Sequence, residues 1–570
     1  MRIYYVHLGD KTSSMTFSFR TNLIDLTDRE IYPAQITVDE GKIKSVERIN
    51  EKVQGYTLPG FIDAHVHVES SMLVPSEFAR LATVQGTVAT ISDPHEIANV
   101  MGMEGVKYMI ENGKKVPFHF FFGAPSCVPA TKFETAGAEI TAADIDQLLS
   151  QPEIVYLAEM MNYPGVIYND REVHEKIKIA QKHNKPIDGH APGLRGEDVR
   201  NYFYANTEDR RPVISTDHEC FKYEEADEKL EQGVHILIRE GSAAKNFDEL
   251  IPLLNNYPSR IMFCCDDKHP DSLIKEHING HVKRALKAGY DLFDVLQASS
   301  MNVINHYRLP VGMLQPGNAA DFIMIDTIED FNILKTYIKG ILVAENGKPL
   351  IESSPAKTVN NFSCSKKTAA DFACELNANT IRVIEALNGQ LITNELHEHI
   401  LPEGKNFESD TEKDILKIAV VNRYSDAPVS IAYIKNFGLK KGAIASCVAH
   451  DCHNIVAVGV TDEDICKAVN TVIENKGGLS LNHGETTMSI ALPIAGIMTD
   501  KDGYTIAEEY TAIDKKAKEL GSKLDAPFMT LSFMALLVIP QLKLSDKGLF
   551  NSSTFEFTSL APDANQRAGC

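Results

Sequence analysis

His65 and His67 flank a single valine in FIDAHVHVES, and an extended chain points residues i and i+2 to one face. Two imidazoles placed that way can converge on one cation while remaining neutral. An alternate-histidine pair alone is as easily a solvated strand, but the same motif recurs: an apolar run closing on a group able to hold a metal. IVYLAEM carries Glu159, PIDGHAPG carries His190, PVISTDHE carries His218, and RIMFCCDD closes on Asp266 and Asp267. Four histidines and two carboxylates at the ends of five such runs describe one ligand shell. Divalent ions held there would bring the pKa of water from 15.7 to about 7, and a carboxylate beside them could accept and return its proton. The chemistry expected is metal-dependent hydrolysis.

The carboxylates have separate parts in this reading. YLAEM contains no lysine, so a carbamylated lysine is unavailable on the fourth run and the bridge between two ions falls to Glu159. Asp266 and Asp267 both suit the last position; Asp266 is taken as ligand and proton carrier, with Asp267 left open. His95, in DPHE, and Glu219, directly after His218, are candidate substrate contacts. Arg239 is set aside as a partner for a structural acid, Glu240 among the choices. His450, Asp451 and His453 could form a second metal cluster, but their strand-like surroundings favour a loop network or a wall over the site.

Elements must hold these groups together. Eight apolar runs begin at Phe61, Val88, Phe118, Ile154, Pro186, Pro212, Val234 and Arg260, with helix-like sequence between most of them. Eight parallel strands with crossover helices in about 250 residues are what a (β/α)₈ TIM barrel requires. An open α/β sheet would gather its polar residues at one crevice and often carries GxGxxG at its first turn; neither is found. The fold expected is therefore α/β: a catalytic barrel over residues 59–310, with a metal site at the C-terminal strand ends. Strand-rich pieces at 1–58 and 311–354 are each too small for a core and are expected to combine into one small composite β domain. Residues 355–570 read as a C-terminal α+β domain.

Composition narrows the partners. The 570 residues carry 57 Lys plus Arg against 78 Asp plus Glu, a formal charge of −21 that disfavours nucleic acid. There is no apolar run of 18 residues, and MRIYYVHLGDKTSSM lacks the pattern of a secretory signal, so no membrane partner is expected. Ten cysteines without a CxxC pair fit a reducing cytoplasm.

Beyond the generic HxH, the motifs PGFIDAHVHVESS, DPHEIANVMG, AEMMNYPGV, DGHAPGL, STDHE, REGSAAKN and CCDDKHPDSL resemble the amidohydrolase superfamily, and within it the bacterial adenine deaminases. VVNRY, HDCHNIVAVG and ALPIAGIM extend the resemblance almost to the C-terminus. It implies hydrolysis of adenine to hypoxanthine and ammonia in purine salvage. It further implies a dinuclear centre of manganese or iron, with zinc or cobalt possible, in a metal environment of His65, His67, Glu159, His190, His218 and Asp266. A homo-oligomer, with a dimer as the first expectation, is plausible on the same resemblance. This chain has Cys265 where that family usually has threonine. The competing expectations are another cyclic amidohydrolase that opens a heterocyclic C–N bond, and a noncatalytic metal-binding scaffold.

Overall fold

The computed structural model describes residues 16–376, 378–400 and 406–562; the opening segment read above for a secretory signal lies outside them. The first strands are β1 (Phe17–Asp25), β2 (Glu30–Asp39), β3 (Lys42–Arg48) and β4 (Tyr56–Pro59). The Asp39–Gly41 turn joins β2 to β3, with Glu40 and Gly41 both at positive φ. Eight strands then follow at the eight predicted runs: β5 (Phe61–Val66), β6 (Thr87–Ser92), β7 (His119–Ala124), β8 (Ile154–Met160), β9 (Ile187–Gly189), β10 (Thr216–Asp217), β11 (His235–Arg239) and β12 (Ile261–Cys264).

β5 to β9 and β10 to β12 pair in parallel and in chain order. Backbone hydrogen bonds close the two seams. Ser215 N–H donates to Ile187 O at 2.8 Å between β9 and β10. Asp266 N–H donates to His65 O at 2.9 Å, and His67 N–H to Asp266 O at 3.1 Å, joining β12 to β5. The result is a closed barrel. Its strands are buried along almost their whole length, as parallel strands covered by helices must be, and this is why they read as unbroken apolar runs. β9 and β10 are only three and two residues long because the chain turns directly into the loops bearing His190 and His218.

After the barrel come β13 (Phe322–Ile325), β14 (Ile333–Ile338), β15 (Ile341–Glu345) and β16 (Lys348–Pro349). They join β1 to β4 in one eight-stranded sheet, through antiparallel pairing of β13 with β4. The two strand-rich pieces of sequence thus share a sheet, as expected, and neither exists without the other. A second eight-stranded sheet spans Thr380–Ile490, with the helix Asp462–Glu474 on one face. One continuous apolar core runs from barrel residues such as Val68, Leu73 and Met161 into Leu391, Ile494 and Phe533 of the C-terminal part. None of the nine described cysteines forms a disulfide, and no described helix is long and apolar enough to cross a membrane.

One buried ion pair fixes the shortest strand. Lys229 is fully buried and donates to Asp217 Oδ2 at 2.8 Å, Glu225 Oε1 at 2.7 Å and Ala191 O at 2.8 Å. Asp217 Oδ1 accepts Glu219 N–H at 2.9 Å, so the lysine holds the turn on both sides of His218. Removing one partner of a buried pair leaves the other charge uncompensated. Lys229→Met should therefore cost about 3–5 kcal/mol, read as a lowered thermal midpoint; an unchanged midpoint would refute this account of β10.

Candidate active site

Six groups reach one small space at the C-terminal end of the barrel, delivered by the ends of five of its strands. His65 lies on β5 and His67 one residue past it, on the same face; Asp63, two residues earlier, shares that face. Glu159 is the penultimate residue of β8, His190 and His218 directly follow β9 and β10, and Asp266 lies two residues past β12 at φ 57°. All six are buried.

Glu159 stands at the centre. Its Oε1 lies 3.2 Å from His67 Nε2, 3.7 Å from His65 Nε2 and 3.4 Å from His95 Nδ1. Its Oε2 lies 2.6 Å from His190 Nδ1 and 3.3 Å from His218 Nε2. One carboxylate thus presents each oxygen to a different set of imidazoles. Asp266 Oδ1 faces the first set, 3.2 Å from His67 Nε2 and 3.4 Å from His65 Nε2.

The donors fit a metal. His65, His67 and Asp266, like His65, Glu159 and His218, bring ligand atoms within 4.8 Å of one another, and His190, His218 and Glu219 do the same. His190 Nε2 is buried without a hydrogen-bond partner. Every donor is imidazole nitrogen or carboxylate oxygen, a set that accepts manganese, iron, cobalt or zinc. Burial alone would raise the pKa of Glu159, but His190 and His218 hold it well below the usual carboxylate range. Burial is likewise overcome at Asp266, first by Arg239 and then by His65 and His67. Burial would lower the pKa of His67 and His218, yet the carboxylates around them push both well above the ordinary imidazole value. The acids stay ionised, and positive charge must balance them. The buried His, Asp and Glu clusters form a metal-binding site.

The sequence offers Glu240 as one partner for Arg239, and the structure corrects that pairing. Glu240 Oε2 pairs with Arg284 at 2.6 Å. Arg239 turns inward, where Nη1 meets Asp266 Oδ2 at 2.6 Å and also Glu219 Oε1, while Nη2 lies 3.2 Å from Glu219 Oε2. Glu219 lines the cavity with both oxygens engaged by this guanidinium. His95 faces the cavity, and its Nδ1 lies 3.0 Å from Asp93 Oδ2.

Two groups, Asp63 and Glu96, lie outside the sequence reading. Asp63 Oδ1 accepts Cys265 N–H at 3.0 Å and its Oδ2 lies 2.8 Å from His277 Nε2, which pins β12 against β5 beneath His65. Its signal was available, because Asp63, His65 and His67 continue one alternation. Position 265 makes this bond through its backbone, so the cysteine does not disturb it. Glu96 gives no such signal; it is gripped by His450 Nδ1 and, at 2.5 Å, by His453 Nε2 from the C-terminal part. Those histidines sit in a loop, as the wall reading expects, and His450, Asp451, Leu391, Phe533 and Leu536 close the cavity opposite the barrel. The His450 ring stacks on Phe533 at 4.7 Å and 15°. Asp267, left open beside Asp266 in the sequence reading, is pushed up to about 6 by burial and the neighbouring Asp266, against the pull of His450.

Arg239 balances two buried acids, so Arg239→Met should destabilise the protein by about 3–5 kcal/mol. Adding Glu219→Gln should recover at least about 1 kcal/mol through their coupling. Thermal midpoints of the wild type, both single variants and the double variant measure it, and a purely additive cycle would overturn the pairing.

Comparison with known proteins agrees with the whole arrangement. The amidohydrolase family profile matches residues 56–343, and that of the adenine deaminase C-terminal domain matches residues 390–556. The adenine deaminase of Sulfurovum sp. is 53% identical over 94% of this chain and 98% of its own. That of Salinibacter ruber is 52% identical over 95% and 98%, and that of Methanosarcina mazei 49% over 95% and 99%. With the barrel, the imidazole–carboxylate cluster and the C-terminal wall all inside these matched spans, the chain belongs to the adenine deaminase family of the amidohydrolase superfamily.

Proposed function

We propose that this protein hydrolyses adenine to hypoxanthine and ammonia, as a purine-salvage enzyme of the cytoplasm. The observation that carries the chemistry is Glu159, with its two oxygens directed at separate imidazole sets. The choice of adenine rests on the relatives' shared name. The domain division follows the sequence reading: a barrel at 59–310, a β domain composed of 1–58 and 311–354, and a C-terminal domain at 355–570.

His65, His67 and Asp266 would hold one divalent ion and His190 and His218 a second, with Glu159 between them; manganese or iron is the proposed metal, zinc or cobalt the alternative. When bound, the ions supply Lewis acidity and make water a nucleophile near neutral pH. The protein supplies the rest. Adenine is flat and neutral, and Met161, Leu391, Phe533 and Leu536 are the apolar lining residues that would lie against its faces. His95 and Glu219 at the rim would contact its ring nitrogens or amino group. Water must lose a proton and the departing amine must gain one, so a carboxylate that moves the proton between them completes the balance. Asp266 is the proposed carrier. Asp267 is the second candidate, favoured by its higher pKa of about 6, close to where a general base works best. A homodimer is the proposed assembly, tested by sedimentation at several concentrations, where a stable monomer throughout would reject it.

Anaerobic purification, metal analysis and reconstitution, with hypoxanthine formation followed in the same samples, test the centre. Two ions per chain and turnover with manganese or ferrous iron are expected, and full activity with one firmly established ion would overturn the dinuclear reading. Glu159→Gln should lose metal, because an amide lacks the bridging charge. Asp266→Asn should keep more metal yet lose about 10²-fold or more in rate. Near-normal turnover in Asp266→Asn with none in Asp267→Asn would move the proton step to Asp267. Activity in both asparagine variants would remove the carboxylate mechanism, and a ring-opened product from a heterocycle would replace adenine deamination.

A further inference from the structure

A cleft of about 1010 Å³ lies at the opposite end of the barrel. It opens where strands begin: Ile187 starts β9, Ser215 precedes β10, His235 starts β11 and Arg260 precedes β12. Arg210, Arg211, Arg308 and Lys185 complete its basic lining, the lysine donating to the carbonyls of Leu149, Gln151 and Ile154. The cleft thus gathers four arginines on a chain whose formal charge is −21.

The arginines are not used by the fold as ion pairs. Among the described residues none of the four has a carboxylate partner. Arg260 Nη1 donates to Leu230 O at 2.9 Å and Arg308 Nη1 to Asn184 O at 3.3 Å, each leaving most of its N–H groups free, and Arg210 and Arg211 make no side-chain hydrogen bond. The acids at the cleft are Asp209 and Glu231. Between the arginines sit two imidazoles, His235 and His306, with ring centroids 4.4 Å apart, and Tyr204 lies at the same wall. Ser215 Oγ lies 3.2 Å from His306 Nε2. Burial, and then Arg260, push His235 down to about 4, while burial and then His235 and Arg308 depress His306, so both rings are neutral in a positive surrounding.

Strand beginnings in such barrels serve stability rather than chemistry, and stability gains nothing from four arginines that line one cleft without a carboxylate partner among the described residues. Guanidinium forks match phosphate oxygens in geometry and charge, and the volume admits a nucleotide-sized molecule. We propose that this cleft binds a phosphorylated small metabolite, its phosphate on Arg210, Arg211, Arg260 and Arg308 and its organic part against the His235–His306 pair. The site is independent of the metal centre, and so of the activity assigned there.

Calorimetric titration of the full-length protein tests it, with adenosine 5′-monophosphate and ribose 5-phosphate as probes and adenosine and ribose as neutral controls. At least one phosphate ester should bind with a Kd below about 1 mM, and its neutral control should bind at least about tenfold more weakly. Binding of both esters points to a sugar phosphate as sufficient; binding of the monophosphate alone shows that the ring pair contributes. Arg260→Gln/Arg308→Gln should weaken binding at least about tenfold with the thermal midpoint retained. Should that pair fail to fold, Arg210→Gln/Arg211→Gln, on the exposed connection before β10, carries the same test. No heat from either ester at about 5 mM, equal binding of adenosine and its monophosphate, or unchanged affinity in both arginine-pair variants would each overturn the proposal.

Discussion

Burying carboxylates obliges a protein to bury positive charge beside them, and that obligation organises the end of this barrel. An isolated ionised carboxylate in an apolar interior is too costly to persist. Here Glu159, Asp266, Glu219, Asp217, Asp63 and Glu96 are all buried, and each has been given a cation or imidazole. Arg239 serves Asp266 and Glu219, Lys229 serves Asp217, His277 faces Asp63, and His450 and His453 grip Glu96. The exception in kind is Glu159, whose neighbours are imidazoles that must be neutral to act as ligands. The balancing charge at that point is therefore best supplied by metal, and the other pairs hold the frame in which it would sit.

That frame draws on distant parts of the chain. The β12–β5 seam sets His65 and Asp266 across from each other, and the Asp63–His277 contact lies beneath it. The C-terminal part then acts as a wall rather than a separate module, since one apolar core runs through both. Its contact with the cavity is held from behind by Lys543, a fully buried lysine that donates to Leu391 O at 2.7 Å and Phe533 O at 3.1 Å. Burial without an acidic partner pushes this lysine down to about 7. Leu391 and Phe533 both line the cavity, so a costly buried amine is retained where it fixes the shape of the wall.

Much of this was legible because a barrel confines its chemistry to strand ends. His65, His67, Glu159, His190, His218 and Asp266 could be read as one group because each closes an apolar run, and the structure brings all six together. The composite β sheet was legible for the opposite reason: neither piece could bury a core alone. What could not be read is pairing across the fold. Arg239 ends its strand as a site residue would, and only three-dimensional closure turns it towards Asp266 and Glu219 rather than Glu240. Glu96 and His450 are 354 residues apart, and no periodicity links a barrel loop to a C-terminal loop. Asp63 was within reach, since alternation with His65 and His67 places it on the inner face.

The two ends of the barrel now carry opposite electrostatic characters, acidic and closed where the imidazoles converge, basic and open where the strands begin. β8 spans seven residues, or roughly 23 Å at the rise of a strand. The Debye length at physiological ionic strength is about 8 Å, so the exposed arginines of the open end contribute little field at the carboxylate ring. Any influence between the ends must then travel through the strands that connect them. β9 and β10 are the shortest path, running from Ile187 and Ser215 at one end to His190 and His218 at the other. The Lys229 ion pair stiffens that path, because a shift of Asp217 displaces the turn that carries His218. Coupling in this architecture would be mechanical, and β10 is the element through which it would act.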